Sequence, residues 1–241
     1  MAELWVALDL PHARRAKAMA SQLLGFVDVY KVGLQLYTSS GPAFVRALVD
    51  SGARVFLDLK FHDIPNTVAG AAGAAARIGV SHFDVHAAGG KAMMQAAVAA
   101  AGEEAAKVGR WPRPKVIAIT VLTSIDEQIA RSELGLGRSI REQALRYAAA
   151  ARESGLDGVV ASVQEASAIR AECGPEFLIV TPGIRPSFET KPDDQRRVGT
   201  PAAALRAGSS AIVVGRPIIA SADPVDSARR IRAELARAET P

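Results

Sequence analysis

The sequence predicts an α/β protein that folds as a single-domain (β/α)8 TIM barrel over residues 1–241. Short apolar runs of strand length alternate with alanine-rich helical segments along the whole chain. The apolar runs are continuous and rich in Val and Ile, which is typical of parallel strands covered on both faces. Eight such strand–helix pairs fill 241 residues, a usual length for one barrel domain.

The element boundaries follow from these runs and from the glycines that end them. Predicted strands span 4–9, 28–34, 54–60, 82–87, 115–122, 157–162, 177–183 and 211–215. Predicted helices span about 12–24, 41–51, 65–78, 91–108, 139–154, 164–172, 201–207 and 224–238. Several of these helices are followed by a glycine suited to a left-handed C-cap: Gly25, Gly52, Gly79, Gly155 and Gly208.

An open, doubly wound sheet is the alternative fold. Such a sheet normally carries a G-x-G-x-x-G turn after its first strand, whereas this chain has ALDLPHAR there. The polar stretch RPSFETKPDDQRR, residues 185–197, follows the seventh predicted strand. That position lies at the catalytic face of a barrel, so the stretch is predicted to act as a lid.

Composition limits the classes of function. With 49% apolar and 22% charged residues, the chain is typical of a soluble globular protein. The N-terminal MAELWVALDL is predicted to be a strand rather than a signal peptide, and no apolar stretch approaches the ~20 residues that span a membrane. The lone cysteine, Cys173, excludes an intrachain disulfide and fits a reducing, cytoplasmic location.

A formal net charge of +4 leaves two classes of partner open. The basic residues are scattered and aromatic residues make up 5% of the chain, which argues against a nucleic-acid-binding surface. An anionic small-molecule substrate explains the positive excess equally well. No set of His, Asp and Glu residues has the spacing of a metal site, so no metal is expected.

Polar residues recur at the predicted carboxyl ends of the strands, where barrel enzymes carry their active sites. They are Asp9, Lys31, Asp58, Lys60, Thr123, Gly183, Arg185, Gly215 and Arg216. Asp58 and Lys60 are two residues apart, so on a strand their side chains share one face and point into the barrel mouth. Arg216, beside backbone N–H groups after the eighth strand, suits a phosphate dianion.

Simpler explanations exist for some of these residues. Capping of the following turn explains Asp9 about as well as function does. Asp58 and Lys60 also fit a structural ion pair, although barrel interiors are usually filled with apolar side chains. An unpaired lysine in a buried strand is costly, so Lys31 favours a functional role. Nothing in the spacing of His62 demands catalysis.

Six segments along the chain stand out together: ALDL at 7–10, YKVGLQLY at 30–37, DLKFHDIPNTV at 58–68, VLTS at 121–124, TPGIRP at 181–186 and IVVGRPI at 212–218. In content and in order they resemble segments of the orotidine 5′-phosphate decarboxylase family. The D-x-K-x-x-D core is shared with sugar-phosphate decarboxylases and synthases of the same superfamily. Joined to HDIPNT, TPGIRP and VVGRPI, it becomes highly specific.

The resemblance implies decarboxylation of orotidine 5′-phosphate to UMP without a cofactor, in a homodimer. Lys60 would protonate C6 of the pyrimidine, and Asp58 would lie beside the substrate carboxylate. Lys31 and Asp63 would complete a Lys–Asp–Lys–Asp network, with Asp63 and Thr67 donated across the dimer. The other substrate-binding positions are Asp9 for the ribose, Ile64, Thr123 for the pyrimidine, and Arg185, Gln195, Gly215 and Arg216 for the phosphate.

Elementary chemistry agrees with these roles. Loss of carbon dioxide from C6 leaves a carbanion in the ring plane, where no π system delocalises it. A fixed ammonium group at that atom supplies both electrostatic stabilisation and the proton. A magnesium-dependent sugar-phosphate decarboxylase or synthase of the same fold stays open as an alternative, and so does a basic nucleic-acid-binding protein.

Overall fold

The computed structural model describes residues 2–188 and 197–239, and it forms the predicted barrel. Eight parallel strands pair in chain order, and β1 closes the sheet against β8. The strands are β1 (Glu3–Ala7), β2 (Val29–Gly33), β3 (Val55–Phe61), β4 (His82–His86), β5 (Lys115–Ile119), β6 (Gly158–Val160), β7 (Leu178–Thr181) and β8 (Ala211–Val214). The predicted fold class, a single-domain (β/α)8 barrel, is confirmed.

Helices follow the strands and cover the outside of the barrel. They are α1 (Ala13–Gln22), α2 (Leu34–Asp50), α3 (Pro65–Ile78), α4 (Gly90–Val108), α5 (Glu127–Ser132), α6 (Ile140–Glu153), α7 (Val163–Cys173), α8 (Pro201–Arg206), α9 (Arg216–Ile219) and α10 (Pro224–Glu239). A 3₁₀ turn at Ala87–Gly89 joins β4 to α4. Across residues 2–188 and 197–239, none of the helices combines the length and apolar character needed to cross a membrane.

Alternating side chains on the strands build two separate cores. On β1, Leu4 and Val6 pack outward with the helices, whereas Trp5 belongs to a smaller cluster inside the barrel. The ring of Trp5 lies 5.3 Å from that of Phe56 and 4.6 Å from that of His82, measured between centroids. These rings fill the amino-terminal end of the barrel, so polar inward-facing residues are left for the carboxyl-terminal end.

The structure differs from the predicted elements mainly in three helices, α2, α5 and α9. Helix α2 begins at Leu34 rather than at residue 41, because it consists of two helices joined at Gly41, where φ is 68°. Helices α5 and α9, of 6 and 4 residues, were not predicted because they are too short to show helical periodicity. All five predicted capping glycines have positive φ, between 79° and 88°.

The first residue of β6, Gly158, gives a test of the strand packing. A Cβ atom at this position would lie far inside van der Waals contact with the carbonyl oxygen of Leu178 on β7. We therefore expect Gly158→Ala to lower the free energy of unfolding by about 2 kcal/mol, because the two strands must move apart. Urea unfolding followed by circular dichroism measures this change.

Gly102→Ala is the matched control within α4. The nearest atom to a Cβ there is Cδ of Arg113 at 3.7 Å, so alanine fits without displacement. Because alanine favours a helix more than glycine does, we expect this variant to gain up to ~1 kcal/mol. Equal effects of the two substitutions would contradict the packing described for β6 and β7.

Candidate active site

A cavity of about 590 Å³ opens at the carboxyl ends of the barrel strands. Its wall includes most of the residues singled out from the sequence: Asp9, Lys31, Asp58, Lys60, Thr123, Gly183, Arg185, Gly215 and Arg216. The rest of the wall is largely apolar, with Ile119, Val121 and Val160 among its members. The cavity is therefore a pocket in which charges are concentrated beside an apolar surface, as is typical of a site for a small molecule.

The charged residues form one connected cluster. Lys31 is 8% exposed, and its Nζ lies 3.0 Å from Oδ1 of Asp9 and 3.1 Å from Oδ2 of Asp58. The Nζ of Lys60 contacts the other oxygen of Asp58, Oδ1. The Asp58 carboxylate thus lies between two ammonium groups. A buried charge is stable when it is paired in this way.

The cluster keeps Asp58 and Lys31 charged. Burial by itself raises the pKa of Asp58, but the ammonium groups of Lys31 and Lys60 outweigh burial and hold that pKa well below its ordinary value. Burial also acts to lower the pKa of Lys31, and the carboxylates of Asp58 and Asp9 reverse this and raise it. At neutral pH Asp58 is consequently an anion and Lys31 a cation.

A glycine makes room for this arrangement. Gly33 ends β2, two residues after Lys31. A Cβ at position 33 would lie 2.8 Å from Nζ of Lys31 and 3.2 Å from Oδ1 of Asp9. Any other residue would push the lysine away from its two carboxylates. The sequence analysis did not identify Gly33 as a site residue, because the collision depends on where Lys31 points in three dimensions.

The contact between Asp58 and Lys60 is made across an irregularity in β3. Leu57 pairs with Phe83 of β4, but Phe61 pairs with Val85, so β3 uses two more residues than β4 over this stretch. Within it, Lys60 has a φ of 54° and is the only non-glycine residue with positive φ in the described parts of the chain. The two side chains do meet, as predicted, but through this bulge and not through regular strand alternation.

Asp84, in the middle of β4, is a site residue that the sequence analysis missed. It is fully buried, and its Oδ1 accepts a hydrogen bond of 2.8 Å from the backbone N–H of Lys60. Its carboxyl group also lies close enough to Asp58 for the charge of that carboxylate to raise the pKa of Asp84. A signal was present in the sequence, because an acid inside the strand HFDVH is as costly to bury as a lysine inside YKVGL.

Three predicted residues lie outside the cavity. Asp63, Ile64 and Thr67 are exposed, on the turn after β3 and in the first turn of α3. The carboxylate of Asp63 accepts a hydrogen bond of 2.6 Å from the backbone N–H of Ile64. Within one chain, the structure does not bring these residues to Lys60. Gln195, also predicted from the sequence, lies outside the described residues.

The two ends of the predicted lid are held at the barrel rim. Ile184 bridges to Gly199 in a parallel pairing, and the backbone N–H of Arg185 donates to the carbonyl of Gly199 at 2.8 Å. Arg197 is buried, and its guanidinium donates to Oε1 of Glu165 at 2.6 Å and to the carbonyl of Val121 at 2.8 Å. Arg197 was not predicted, since a charged residue in a polar stretch gives no sign of burial.

The histidines near the cavity differ from the lysines in charge. Burial lowers the pKa of His86 to about 4, so its imidazole is neutral at pH 7. His62 is exposed, with its ring centroid 5.2 Å from that of His86. Neither histidine lines the cavity. In the described parts of the chain, no group of three or more His, Cys, Asp or Glu side chains is arranged to hold a metal ion.

Comparisons with known proteins agree with this geometry. A family model described as orotidine 5′-phosphate decarboxylase / HUMPS family matches residues 2–231. Orotidine 5′-phosphate decarboxylase of Moorella thermoacetica is 56% identical over 230 residues, which cover 95% of this chain and 90% of that protein. The enzyme of the same name from Syntrophotalea carbinolica is 51% identical over 232 residues, covering 96% and 94%. The crystal structure of orotidine 5′-phosphate decarboxylase from Lactobacillus acidophilus matches with a TM-score of 0.85 at 37% identity, covering 98% of this chain and 99% of that one.

The buried cluster itself can be tested by removing one cation. We expect Lys31→Met to lower the free energy of unfolding at pH 7 by about 3 kcal/mol, because Asp58 loses one of its two buried partners. In the wild type, the lowered pKa of Asp58 gives stability that is present above its ordinary pKa and is lost on acidification. In the variant that pKa rises, so acid unfolding begins at a higher pH.

Urea unfolding between pH 3 and pH 8 measures both effects. Lys17→Met is the control, since Lys17 is exposed on α1 and its replacement is expected to change stability by less than about 0.5 kcal/mol. If the two methionine variants were equally stable, Lys31 would not be needed to balance Asp58.

Proposed function

Because the chain belongs to the orotidine 5′-phosphate decarboxylase / HUMPS family, we propose that Lys60 protonates C6 of the pyrimidine as carbon dioxide leaves. The chain is a carboxy-lyase that decarboxylates orotidine 5′-phosphate to UMP in pyrimidine nucleotide biosynthesis. One observation carries the role of Lys60. Its ammonium group lies at the mouth of the barrel, in contact with a carboxylate that is itself buried and charged.

The proposed proton transfer follows from the charge that develops on the substrate. When the C6–carboxylate bond breaks, its electron pair stays on C6 in the ring plane, and the Lys60 N–H bond supplies the proton that takes it up. A cation already fixed at that position stabilises the carbanion without reorganising in the transition state. Lys31 and Asp58 support this arrangement, because they restrict where the Lys60 ammonium can lie.

Asp58 is proposed to have two effects. Its carboxylate orients Lys60, and it also faces the carboxylate of the bound substrate. Two neighbouring anions repel each other in the substrate complex, and this repulsion falls as the substrate carboxylate becomes neutral carbon dioxide. The effect requires Asp58 to stay ionised, and its lowered pKa supports that state in the ligand-free protein.

The remaining polar residues of the cavity are proposed to bind the rest of the nucleotide. Arg185, Gly215 and Arg216 follow β7 and β8, and we assign the phosphate to them together with Gln195. Asp9 is assigned to the ribose and Thr123 to the pyrimidine. Binding energy from the distant phosphate would then help to hold the pyrimidine against Lys60.

We propose a homodimer in which Asp63, Ile64 and Thr67 complete the cavity of the partner subunit. All three residues are exposed, and Ile64 shows 67% of its surface to solvent. The turn after β3 carries Asp63 away from its own Lys60 and leaves it exposed, where a second chain can reach it. Independence of a cofactor and a cytoplasmic location remain predictions.

The role of Lys60 is tested by Lys60→Ala. We expect this variant to keep the circular dichroism spectrum of the wild type and to lose decarboxylation by at least ~10³-fold, because one residue supplies both the proton and the stabilising charge. The loss of absorbance as orotidine 5′-phosphate becomes UMP measures turnover.

Two controls accompany this assay. His62→Ala removes a neighbouring side chain that does not line the cavity, and it is expected to keep turnover within about threefold of the wild type. The wild type is also assayed in EDTA, where full activity is expected of a mechanism without a metal. Near-normal turnover by Lys60→Ala would exclude the role proposed for this lysine.

The shared site is tested by combining two inactive variants. Asp63→Ala and Lys60→Ala damage different halves of each cavity, so a mixed dimer would contain one cavity with both native residues. We expect co-expression of the two variants to restore roughly a quarter of the wild-type activity, whereas each variant alone stays inactive. Absence of any recovery in a mixture shown to contain mixed dimers would mean that Asp63 acts within its own chain.

A further inference from the structure

Asp84 occupies a position that neither the sequence motifs nor the proposed mechanism explains. It lies on β4 beneath the floor of the cavity and has no solvent-exposed surface. Its Oδ1 accepts the backbone N–H of Lys60 at 2.8 Å, in the stretch where β3 leaves the regular ladder with β4. In a regular ladder the N–H of Lys60 would donate to a backbone carbonyl, and here the Asp84 carboxyl group takes that place.

The carboxyl group of Asp84 lies near a second carboxyl group, that of Asp58. Oδ2 of Asp84 is fully buried and receives no N–H or O–H donor from the protein groups in the described chain segments. A buried carboxyl oxygen without a donor favours the protonated form of its group, and only a proton held by one of two neighbouring carboxyl groups lets them hydrogen-bond to each other. The Asp58 carboxylate already contacts the ammonium groups of Lys31 and Lys60, which favour its charged form. The proton is therefore expected on Asp84.

We propose that Asp84 is a positioning residue that acts as a neutral carboxylic acid, accepting from the Lys60 backbone and donating to the Asp58 carboxylate. Through these two bonds it fixes both the left-handed backbone of Lys60 and the orientation of Asp58. This inference rests on the proposed role of Lys60. Asp84 itself does not touch the cavity, so it acts through its two neighbours.

The surroundings of Asp84 favour the protonated form. Burial raises the pKa of Asp84 well above its ordinary value, and the negative charge of Asp58 raises it further. Lys60 acts in the opposite direction. On β4 the nearby His86 is neutral at pH 7, and on β5 the residue opposite Asp84 is the apolar Ile117.

The backbone of Lys60 explains why such a support is needed. A residue with a side chain is unfavourable at a φ of 54° and persists there only when its surroundings hold it. The N–H of Lys60 donates to Asp84 in that conformation. Without the acceptor, the bulge in β3 would relax and move the Lys60 ammonium relative to Asp58.

The test compares Asp84→Asn with Asp84→Leu. Asparagine keeps one acceptor and one donor in nearly the same shape, so we expect its kcat within about threefold of the wild type. Leucine keeps much of the volume but removes both bonds, and we expect kcat to fall about 100-fold with little change in KM. A leucine variant that folds and retains the wild-type kcat would overturn the proposal, and so would an inactive asparagine variant.

A stability measurement tests the protonation state without relying on catalysis or on the leucine variant. In the wild type, the folded chain retains a proton on Asp84 that the unfolded chain releases above the ordinary aspartate pKa of about 3.9. Its stability relative to Asp84→Asn therefore falls as pH rises through that value and continues to fall until the raised pKa is passed. We expect the Tm difference in favour of Asp84→Asn to grow between pH 5 and pH 8.

A Tm difference that stays constant or reverses over this range would show that Asp84 is ionised in the folded protein.

The outcomes also separate this proposal from the proposed function. If Lys60→Ala decarboxylates orotidine 5′-phosphate as fast as the wild type and Asp84→Asn do, the proposed role of Lys60 is wrong. If Lys60→Ala is inactive while Asp84→Leu is fully active, only the role of Asp84 fails.

Discussion

One buried carboxylate, Asp58, holds two lysines at the mouth of the barrel, and the rest of the site depends on it. Its two oxygens face Nζ of Lys31 and Nζ of Lys60. Without this anion, two ammonium groups would lie close together in a partly buried site, where repulsion is weakly screened. Gly33 leaves the space in which Lys31 reaches its partners, and the bulge in β3 turns Lys60 toward Asp58.

The two ends of the barrel have different roles: apolar packing at one end stabilises the fold, and charged side chains at the other form the site. At the amino-terminal end, Trp5 and Phe56 pack inside the strands with the neutral ring of His82, whose pKa burial lowers to about 3. At the other end, the same strands present charged side chains to the cavity. The apolar packing below offsets the cost of holding several charges above it, so the cluster can be rigid before substrate binds.

The sequence predicted the barrel and most of the polar residues that line its cavity, but not the contacts that shape the site. Apolar runs and strand ends were sufficient for Lys31, Asp58 and Lys60, because inward-facing charges at strand ends are rare and costly. The bulge at Lys60 was not predictable, since its partner Asp84 lies 24 residues away in the chain. Donation of Asp63 to a partner subunit is predicted from the family resemblance and from the turn HDIP, because a single chain gives no further sign of what its surface contacts.

The central claim is that Lys60 is the group that handles the proton at C6. By microscopic reversibility, a residue that protonates C6 in the forward reaction also removes that proton from bound UMP. Proton NMR of UMP in D2O with the wild-type protein measures this exchange directly and does not require decarboxylation. We expect the C6 hydrogen to exchange for deuterium with the wild type and to stay at the uncatalysed rate with Lys60→Ala. Equal exchange by both proteins would contradict the account.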